Sequence, residues 1–555
     1  MIESKNKSPA NIFKILKKYK PQNKSVEKKV TSYWTKKSIE LSSYIYENLL
    51  QENSFILDPF LGSGTSLFGI QNCKKKMKFI GVELNELPLK FIDFNLKRMD
   101  IEEFQRFKNQ FKVFEVKNKS CYEYYTKKNK EKFYFSKVLI DIENGQLIPK
   151  EFKVFNKALE PMILNKSKNK LIFEEFKKMY IDRNIDRARK GFTDNFSLET
   201  NTRIAIKKNM KISDLFSPTN FHLLNKFKQF SKSNENLKIL LSLVLHLCKL
   251  TDLKSQSQFP YWFPRKNALD RNILELMSKK LFFLEKNLMR RQKELFENNK
   301  LFRSPSFENL KKQKHSSYMT IRKPIQKLNN LDLPDNSIDF LITDPPYFDQ
   351  VPYSEYLELW RYFTNFKNNF KDEIVQTDKL SLTKDREKYL SDLKEGFKVI
   401  SKKLKKDAFA LIFFKDSKLS NISSFLKILN ECNLTYEGQI HISKKKHTYK
   451  QNTSKLSTVI GDCLFLFKKN TKRQIIPIKK YNESEIRKIV IKFIYNYLEL
   501  KKSASIGEIF DNGLIWELFT AGQLEHIKSV QFLMKIIKDE FFISNRNGTI
   551  SLETE

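Results

Sequence analysis

The chain has 555 residues, 103 Lys plus Arg against 64 Asp plus Glu, a formal net charge of +39 and 40% hydrophobic residues. That length exceeds what one hydrophobic core usually sustains, so two or three domains are expected, and the ordinary apolar fraction excludes a disordered basic tail. The cation excess points to a polyanion, nucleic acid first, because a coding bias that raised lysine without function would raise glutamate too. Cysteines stand at 73, 121, 248, 432 and 463 with no CxxC pair, which suggests neither a disulfide framework nor a metal site. The N-terminal "MIESKNKSPANIFKILKKYK" has no apolar signal core, and "LKILLSLVLHLCKL" (237–250) is too short to span a bilayer. The expectation is a cytoplasmic protein without membrane segments.

In chain order, residues 39–50 read as an amphipathic helix, and "SFILDPF" gives a short buried strand, Phe55 to Leu57, broken at Pro59. "LGSGTSLFGI" turns into a helix, "KFIGVEL" (78–84) is a second strand, and "NELPLKFIDFNLKRM" returns to helix. Near-continuous apolar strands alternating with helices mark a parallel sheet covered on both faces. From about 101 to 317 the sequence becomes long, charged and mainly helical. In "RNILELMSKKLFFLEKNLMRRQKELF" (271–296), for example, Ile273, Met277, Leu281, Leu284 and Leu288 share one face.

The alternation resumes at "YMTIRK" and runs through "SIDFLITD" (337–344), a helix near 386–403, "AFALIFF" (408–414), a helix near 420–431, "LTYEGQIHIS" and "CLFLFKK", making about seven strands in all. After 471, Asn482 and Glu485 form a capping-box pair that opens a helix. A small helical C-terminal domain is expected there, with "SASIGEIFDNGLIWELF" open between a winged-helix-like piece and a packing module.

Three strand ends carry the chemistry. In "DPFLGSGT" (Asp58 to Thr65), Gly62 and Gly64 permit a tight strand-to-helix turn and a close approach of backbone to ligand. The loop is not a dinucleotide fingerprint, since Leu67 stands where a third glycine belongs, nor a P-loop, since no Gly-Lys-Ser/Thr follows. Glu83 ends the second strand at the carboxyl edge of the sheet, where it suits the two hydroxyls of a ribose or serves equally as a surface acid. Asp344 ends another strand and is followed by Pro345, Pro346 and Tyr347. The prolines lack N–H groups, so their carbonyls are expected to face outward as acceptors. An acid and a carbonyl can hold both hydrogens of an exocyclic amine, while Tyr347 stacks on its ring.

Together "DPFLGSGT", "GVE" and "TDPPY" resemble the S-adenosylmethionine-dependent DNA amino-methyltransferases, which methylate adenine N6 or cytosine N4. "TSYWTKKSIELSSYI" (31–45), "LPDNSIDFLITDPPYFDQVPYSEYLELW", "VISKKLKKDAFALIFF" and "IGDCLFLFKK" are similar to further segments of that family, so the resemblance covers residues 31–100 and 318–469. Two departures stand out: "TIRKPIQKL" lacks the acid that many members place near the cofactor adenine, and Lys37-Ser38 replaces a common basic-Pro pair.

The resemblance implies an α/β Rossmann-like methyltransferase fold, with a seven-stranded, mostly parallel sheet covered by helices on both faces. Its first half lies in 1–100 and its second in 318–470. Between them, 101–317 forms a mainly helical insertion for target recognition, and 471–555 the small C-terminal domain. S-adenosylmethionine would meet Tyr33, Trp34, Asp58, Pro59, Phe60, Gly62, Gly64, Thr65 and Glu83, while Asp344, Pro345, Pro346 and Tyr347 act on the base. Double-stranded DNA is the implied partner, with the target base flipped out and stacked on Tyr347 with help from Phe348, and with Arg187, Arg189 and Lys190 contacting phosphates or base edges.

Tyr353, Tyr356 and Trp360 fall on one helix face, and core packing is expected for at least two of them. The initial Asp of the Asp-Pro-Pro-Tyr run favours adenine N6. Cytosine N4, a tRNA guanine-N2 enzyme and a non-catalytic DNA-binding subunit are the alternatives. Cytosine C5 chemistry is excluded because none of the cysteines follows a proline. A restriction-modification or defence system with a nuclease partner is the expected setting.

Overall fold

The computed structural model describes residues 8–21, 37–96, 100–127, 130–143, 146–191, 196–198, 206–252, 267–298, 301–348, 353–377, 384–416, 418–442, 462–527, 529–544 and 549–552. Its centre is a sheet of strands β1 (Phe55–Asp58), β2 (Lys78–Val82), β3 (Phe302–Arg303), β4 (Ser317–Ile321), β5 (Ile338–Thr343), β6 (Leu404–Phe413), β7 (Leu434–Ile442) and β8 (Asp462–Lys469). They lie in the order β7-β8-β6-β5-β1-β2-β4-β3. Pairings are parallel from β6 to β3, and β8 is antiparallel to both β6 and β7. The sheet therefore has eight strands, one more than the sequence suggested. The additional one, β3, is only two residues long, too short to show a periodicity.

Strand order reverses at β1, which pairs with β2 on one side and with β5 on the other, in the register Ile56↔Phe340 and Leu57↔Leu341. Parallel strands end at one edge of a sheet, and such a reversal opens a crevice between the loops that leave it. Both faces are covered. Leu57, Ile80, Val82, Leu341 and Ile412 pack with Tyr389, Leu393, Phe397 and Ile400 of helix Arg386–Lys403 and with helix Leu419–Glu431. Ile56, Phe79, Phe340, Ile342 and Leu411 pack on the opposite side with Leu41, Ile45 and Tyr46 of helix Ile39–Leu49 and with Ile12 and Leu16. Alternate side chains of one strand thus enter two cores, which is why these strands read as unbroken apolar runs.

The insertion contains more than helices. Helices Ile101–Asn118, Lys170–Arg189, Pro218–Phe230, Glu235–Cys248 and Ile273–Asn298 surround a six-stranded sheet. Its longest strands, Lys132–Glu143 and Gln146–Phe155, pair antiparallel with Glu143 opposite Gln146. The intervening Asn144-Gly145 is the dipeptide that two-residue hairpins favour, a signal that the reading of this region as mainly helical passed over. The insertion also receives a helix from the second half of the central sheet domain. Helix Tyr353–Thr364, directly downstream of the Asp-Pro-Pro-Tyr run, buries Tyr356, Leu357, Trp360 and Phe363 in the insertion's core, and Trp360 Nε1 donates to Ser242 O at 2.9 Å.

The C-terminal segment is helical with a small sheet. Helix Glu483–Lys501, strand Ser503–Ser505, a helical stretch from Ile506 to Thr520, helix Val530–Glu540 and strands Phe542–Ile543 and Thr549–Ser551 follow one another. The Thr549–Ser551 strand lies between the other two. Asp511 fastens this unit to the edge of the central sheet, accepting from His441 N at 2.7 Å and pairing with His441 Nδ1 at 2.5 Å.

Gly64 and Gly191 both have positive φ, 82° and 67°, but only Gly64 is crowded: a Cβ there would meet Ile92 Cγ1 at 2.8 Å, whereas nothing lies within 4 Å at Gly191. Alanine at either position incurs backbone strain, and alanine at 64 adds a clash in the core. Gly64→Ala should therefore lower the thermal unfolding midpoint clearly more than Gly191→Ala; equal shifts would mean that Ile92 moves aside without cost.

Candidate functional site

The loops after β1, β2, β4 and β5 converge on one cleft at the carboxyl edge of the sheet, lined by Asp58 to Ser63, Val82 to Asn85, Lys323 to Gln326 and Ile342 to Asp344. Asp58 is its buried anchor, 4% exposed. Its Oδ1 accepts from Phe60 N at 3.1 Å and from Thr343 Oγ1 at 2.7 Å, and its Oδ2 from Ser66 Oγ at 2.5 Å. Burial pushes this carboxyl up to about 6 against the pull of those bonds, and the Asp344 charge adds to the rise. Asp58 thus shapes the glycine loop and ties it to the end of β5, 285 residues away.

Glu83 faces the same cleft and holds the other side of the loop. Its Oε2 accepts from Gly62 N and its Oε1 from Asn85 N, both at 2.9 Å. Gly62 has φ 52°, the left-handed backbone that the turn requires. Burial raises the Glu83 carboxyl to about 7, opposed by those amides. Each of its oxygens accepts one of these amide bonds, and a carboxylate oxygen can accept a second donor, so a diol can be received without breaking the loop. Pro59, Phe60 and Thr65 also line the cleft.

Asp344 closes the cleft at the end of β5, and both its oxygens are engaged. Oδ2 pairs with Lys37 Nζ at 3.1 Å, and Oδ1 accepts the Tyr347 hydroxyl. The Lys37 ammonium lies 5.6 Å from the centre of the Tyr347 ring and 5.1 Å from that of Phe413. An N–H donor beside aromatic faces therefore already occupies the Asp344 carboxylate. The prolines do not both face outward as expected: Pro346 O is turned inward and accepts the Tyr389 hydroxyl at 2.7 Å. Phe348, expected beside the base, has φ 44° and is buried, its ring 4.6 Å from that of Tyr389. The positive φ swings the chain after Tyr347 back into the core, which removes Phe348 from the cleft wall.

Arg187, Arg189 and Lys190 sit far along the sequence at the end of helix Lys170–Arg189. Arg189 and Lys190 are exposed, whereas Arg187 is partly buried against His222 Nε2 at 3.1 Å. Burial and that contact hold the His222 imidazole down to about 4, so it stays neutral beside the cation. Tyr33 and Trp34 lie outside the described residues.

Several cleft residues escaped the sequence reading. Lys37 is one. The others belong to a strap, residues 365–377, that crosses from the insertion-facing helix back to the Asp-Pro-Pro-Tyr loop. Its Lys367 N donates to Glu86 Oε2 at 2.8 Å, its Asn369 N to Asn85 Oδ1 at 3.0 Å, and its Gln376 N to Phe348 O at 3.1 Å. The strap sets Asp372, Glu373 and Ile374 on the cleft wall. "NFKNNFKDEIVQT" has neither period 2 nor period 3.6, so only the backbone bonds reveal it.

A doubly wound sheet with a glycine loop, two strand-end carboxylates and an Asp-Pro-Pro-Tyr turn in one cleft defines the architecture of an amino-methyltransferase. A DNA methylase family model, of the N6/N4 methyltransferases, matches residues 2–93 and 338–538, more than half of the sequence, and the chain belongs to that family. The match leaves out the insertion and takes in most of the C-terminal unit, which the motif comparison had placed outside it.

Among solved structures, a Thermus thermophilus protein provisionally assigned as a DNA modification methylase is 13% identical at a TM-score of 0.15, covering 30% of this chain. The chain spans 58% of the length of that protein. A Haemonchus contortus phosphoethanolamine N-methyltransferase 2 in complex with S-adenosyl-L-methionine is 10% identical over 80% of this chain and 99% of its own, at a TM-score of 0.15. None of the curated proteins compared with the sequence matches it.

The raised Glu83 carboxyl makes a pH prediction. Its folded value, about 7, lies above the ordinary value of 4.5, so between these the folded protein keeps a proton that the unfolded chain releases. Stability from this group is present at low pH and is lost as pH rises toward 7. Glu83→Gln removes the effect, so its unfolding midpoint minus that of the parent, measured without ligand, should climb from pH 5 to pH 8. A flat difference would refute a raised Glu83.

Proposed function

We propose that the protein transfers a methyl group from S-adenosylmethionine to the exocyclic N6 of adenine in double-stranded DNA. The observation that carries this reading is Asp344, held at a strand end in the same cleft as the glycine loop and Glu83, and occupied by an N–H donor over the Tyr347 ring. The residues present suit that cofactor: the Gly62 backbone on the cleft wall permits close approach, Gly64 lets the loop pack against Ile92 behind it, and Glu83 can receive the ribose hydroxyls. Once bound, S-adenosylmethionine supplies a methyl group activated by a sulfonium.

The lone pair of an aromatic amine is delocalised into its ring, so the amine attacks poorly. Asp344 and the Pro345 carbonyl accept hydrogen bonds from its two N–H groups and thereby return electron density to the nitrogen, and the one proton that the nitrogen sheds on gaining the methyl group passes to the partly exposed Asp344 carboxylate and on to solvent. Lys37 gives up Asp344 to the incoming amine, and its flexible side chain makes that exchange inexpensive. Tyr347, wedged edge-on against Phe414 at 5.1 Å, presents a fixed ring for the base. The contribution of these groups is positioning and hydrogen bonding, with no covalent enzyme intermediate. All five cysteines are buried, consistent with a chemistry that uses no thiolate. Cytosine N4 presents the same amine to the same groups and is the second reading; an Asp at the head of the Pro-Pro-Tyr turn favours adenine.

Purified protein incubated with methyl-labelled S-adenosylmethionine and duplex DNA should yield N6-methyladenine on digestion to nucleosides. Labelled N4-methylcytosine would overturn the adenine assignment, and label in tRNA alone would overturn the DNA assignment. Asp344→Ala should lower the methylation rate by about 10³-fold or more while leaving cofactor affinity nearly unchanged. Persistent activity would remove Asp344 from the mechanism.

A further inference from the structure

A second groove lies behind the catalytic loop, between helix Leu419–Glu431 and the C-terminal unit. It has a volume of about 520 Å³ and is lined by Phe348, Gln376, Arg386, Lys418, Ser420, Asn421, Ser424, Glu525 and His526. Its central feature is Arg386. The guanidinium lies 5.5 Å from the centre of the Phe348 ring, Nη2 donates to Ser424 Oγ at 2.7 Å, and Nε and Nη2 share Asn421 Oδ1 at 3.4 and 3.3 Å. Among the described residues Nη1 has no protein partner and no carboxylate pairs with the guanidinium. An arginine held by an aromatic face and two neutral acceptors keeps its charge, and it has lost the side-chain freedom that binding would otherwise cost.

The acids nearby are already engaged. Glu525 pairs with Lys427, and Asp416 accepts from Lys418 N at 2.8 Å and from Asn421 Nδ2 at 2.9 Å. Lys418 is exposed at the rim, and Ser420 adds a hydroxyl. His526 turns its Nε2 to Lys479 O at 2.8 Å. The groove therefore presents a fixed guanidinium, a mobile ammonium and hydroxyls, a set that fits a phosphodiester and has little to offer an apolar ligand.

Position supplies the rest. Arg386 is one turn before Tyr389, whose hydroxyl holds Pro346 O and whose ring packs on Phe348. The groove and the Asp-Pro-Pro-Tyr loop thus share Phe348 and are braced by the same helix, Arg386–Lys403. We infer that Arg386 and Lys418 clamp a phosphate of the DNA strand beside the methylated base, fixing the backbone while the base is withdrawn from the stack. This rests on the DNA reading above. It also gives the C-terminal unit a part in the substrate site, since Glu525 and His526 form the groove's far wall. Phosphate contacts fix register and orientation and carry no sequence information, so the clamp would act on every target alike.

The test is anisotropy of a fluorescein-labelled duplex of about 30 base pairs and mixed sequence, titrated with full-length protein from about 50 to 200 mM KCl, the range over which phosphate contacts show their salt dependence. Each phosphate contact contributes about 0.9 to the slope of log affinity against log salt. Arg386→Gln with Lys418→Gln should weaken binding about tenfold at the low-salt end and reduce the slope by nearly two, with S-adenosylmethionine affinity unchanged. Lys418→Glu alone tests the rim without disturbing a packed residue and should weaken binding at least as much as Lys418→Gln.

Lys488→Gln with Lys492→Gln, exposed on helix Glu483–Lys501, serves as the net-charge control and should leave the slope nearly unaltered. Parental slope and affinity in the groove variants would overturn the clamp while leaving the DNA reading intact. An equal loss in the control pair would also overturn it, by assigning the effect to net charge. A groove that binds inorganic phosphate yet leaves duplex affinity unchanged when mutated would be a free-anion site, against the proposal. A parent that binds no duplex would remove the DNA reading together with the clamp.

Discussion

Everything at the cleft depends on one buried carboxylate. Asp58 sits on the last residue of β1 and accepts from the loop backbone at Phe60, from Ser66 on the following helix, and from Thr343 at the end of β5. A buried carboxylate without partners is strongly destabilising, so the three donors are what makes its burial tolerable. That requirement turns two separate stretches of chain into a single edge. With Thr343 fixed, the next residue, Asp344, has only one place to be.

The insertion is correspondingly more than an appendage. The Asp-Pro-Pro-Tyr loop is strung between two hydrophobic cores: Phe348, just past it, packs in the core under the central sheet, while Trp360 and Phe363 on the next helix pack in the insertion. The strap of residues 365–377 then returns the chain and bonds to the turn after β2 and to Phe348 O. Glu83, Asp344 and the insertion are thereby linked through short covalent and hydrogen-bonded paths. A rigid frame of this kind suits positional catalysis, in which small displacements of the reacting groups are expensive.

What the sequence made legible was local and strongly patterned. The apolar runs of β1, β2, β5 and β6 announced a covered parallel sheet because each strand feeds two cores, and the acids at their ends fell where parallel strands must present them. What it concealed depends on long-range pairing. No local signal tells that Lys37 meets Asp344, or that "NFKNNFKDEIVQT" lies along the cleft, since both follow from contacts between distant segments. Phe348 looked like part of an aromatic train until its φ of 44° turned it inward. The sheet in the insertion was readable in part: Asn144-Gly145 flanked by alternating residues is a hairpin signal, but one bulge in each of the paired strands Lys132–Glu143 and Gln146–Phe155 blurs the period.

The central pairing also has a history in time. Ile56 must find Phe340, and between them the chain builds a whole insertion with its own core. During synthesis β1 and β2 emerge with their outer partners still unmade, while the insertion can close largely on itself. Contacts of such wide separation carry the loop-closure cost before they return any stabilisation, so the carboxyl edge of the sheet is expected among the last parts to form. Until then two short apolar strands stand exposed, and the interval before β5 arrives is when the nascent chain is most open to aggregation. A folded insertion shortens the effective distance that β5 must search, so the insertion serves assembly as well as framing the cleft.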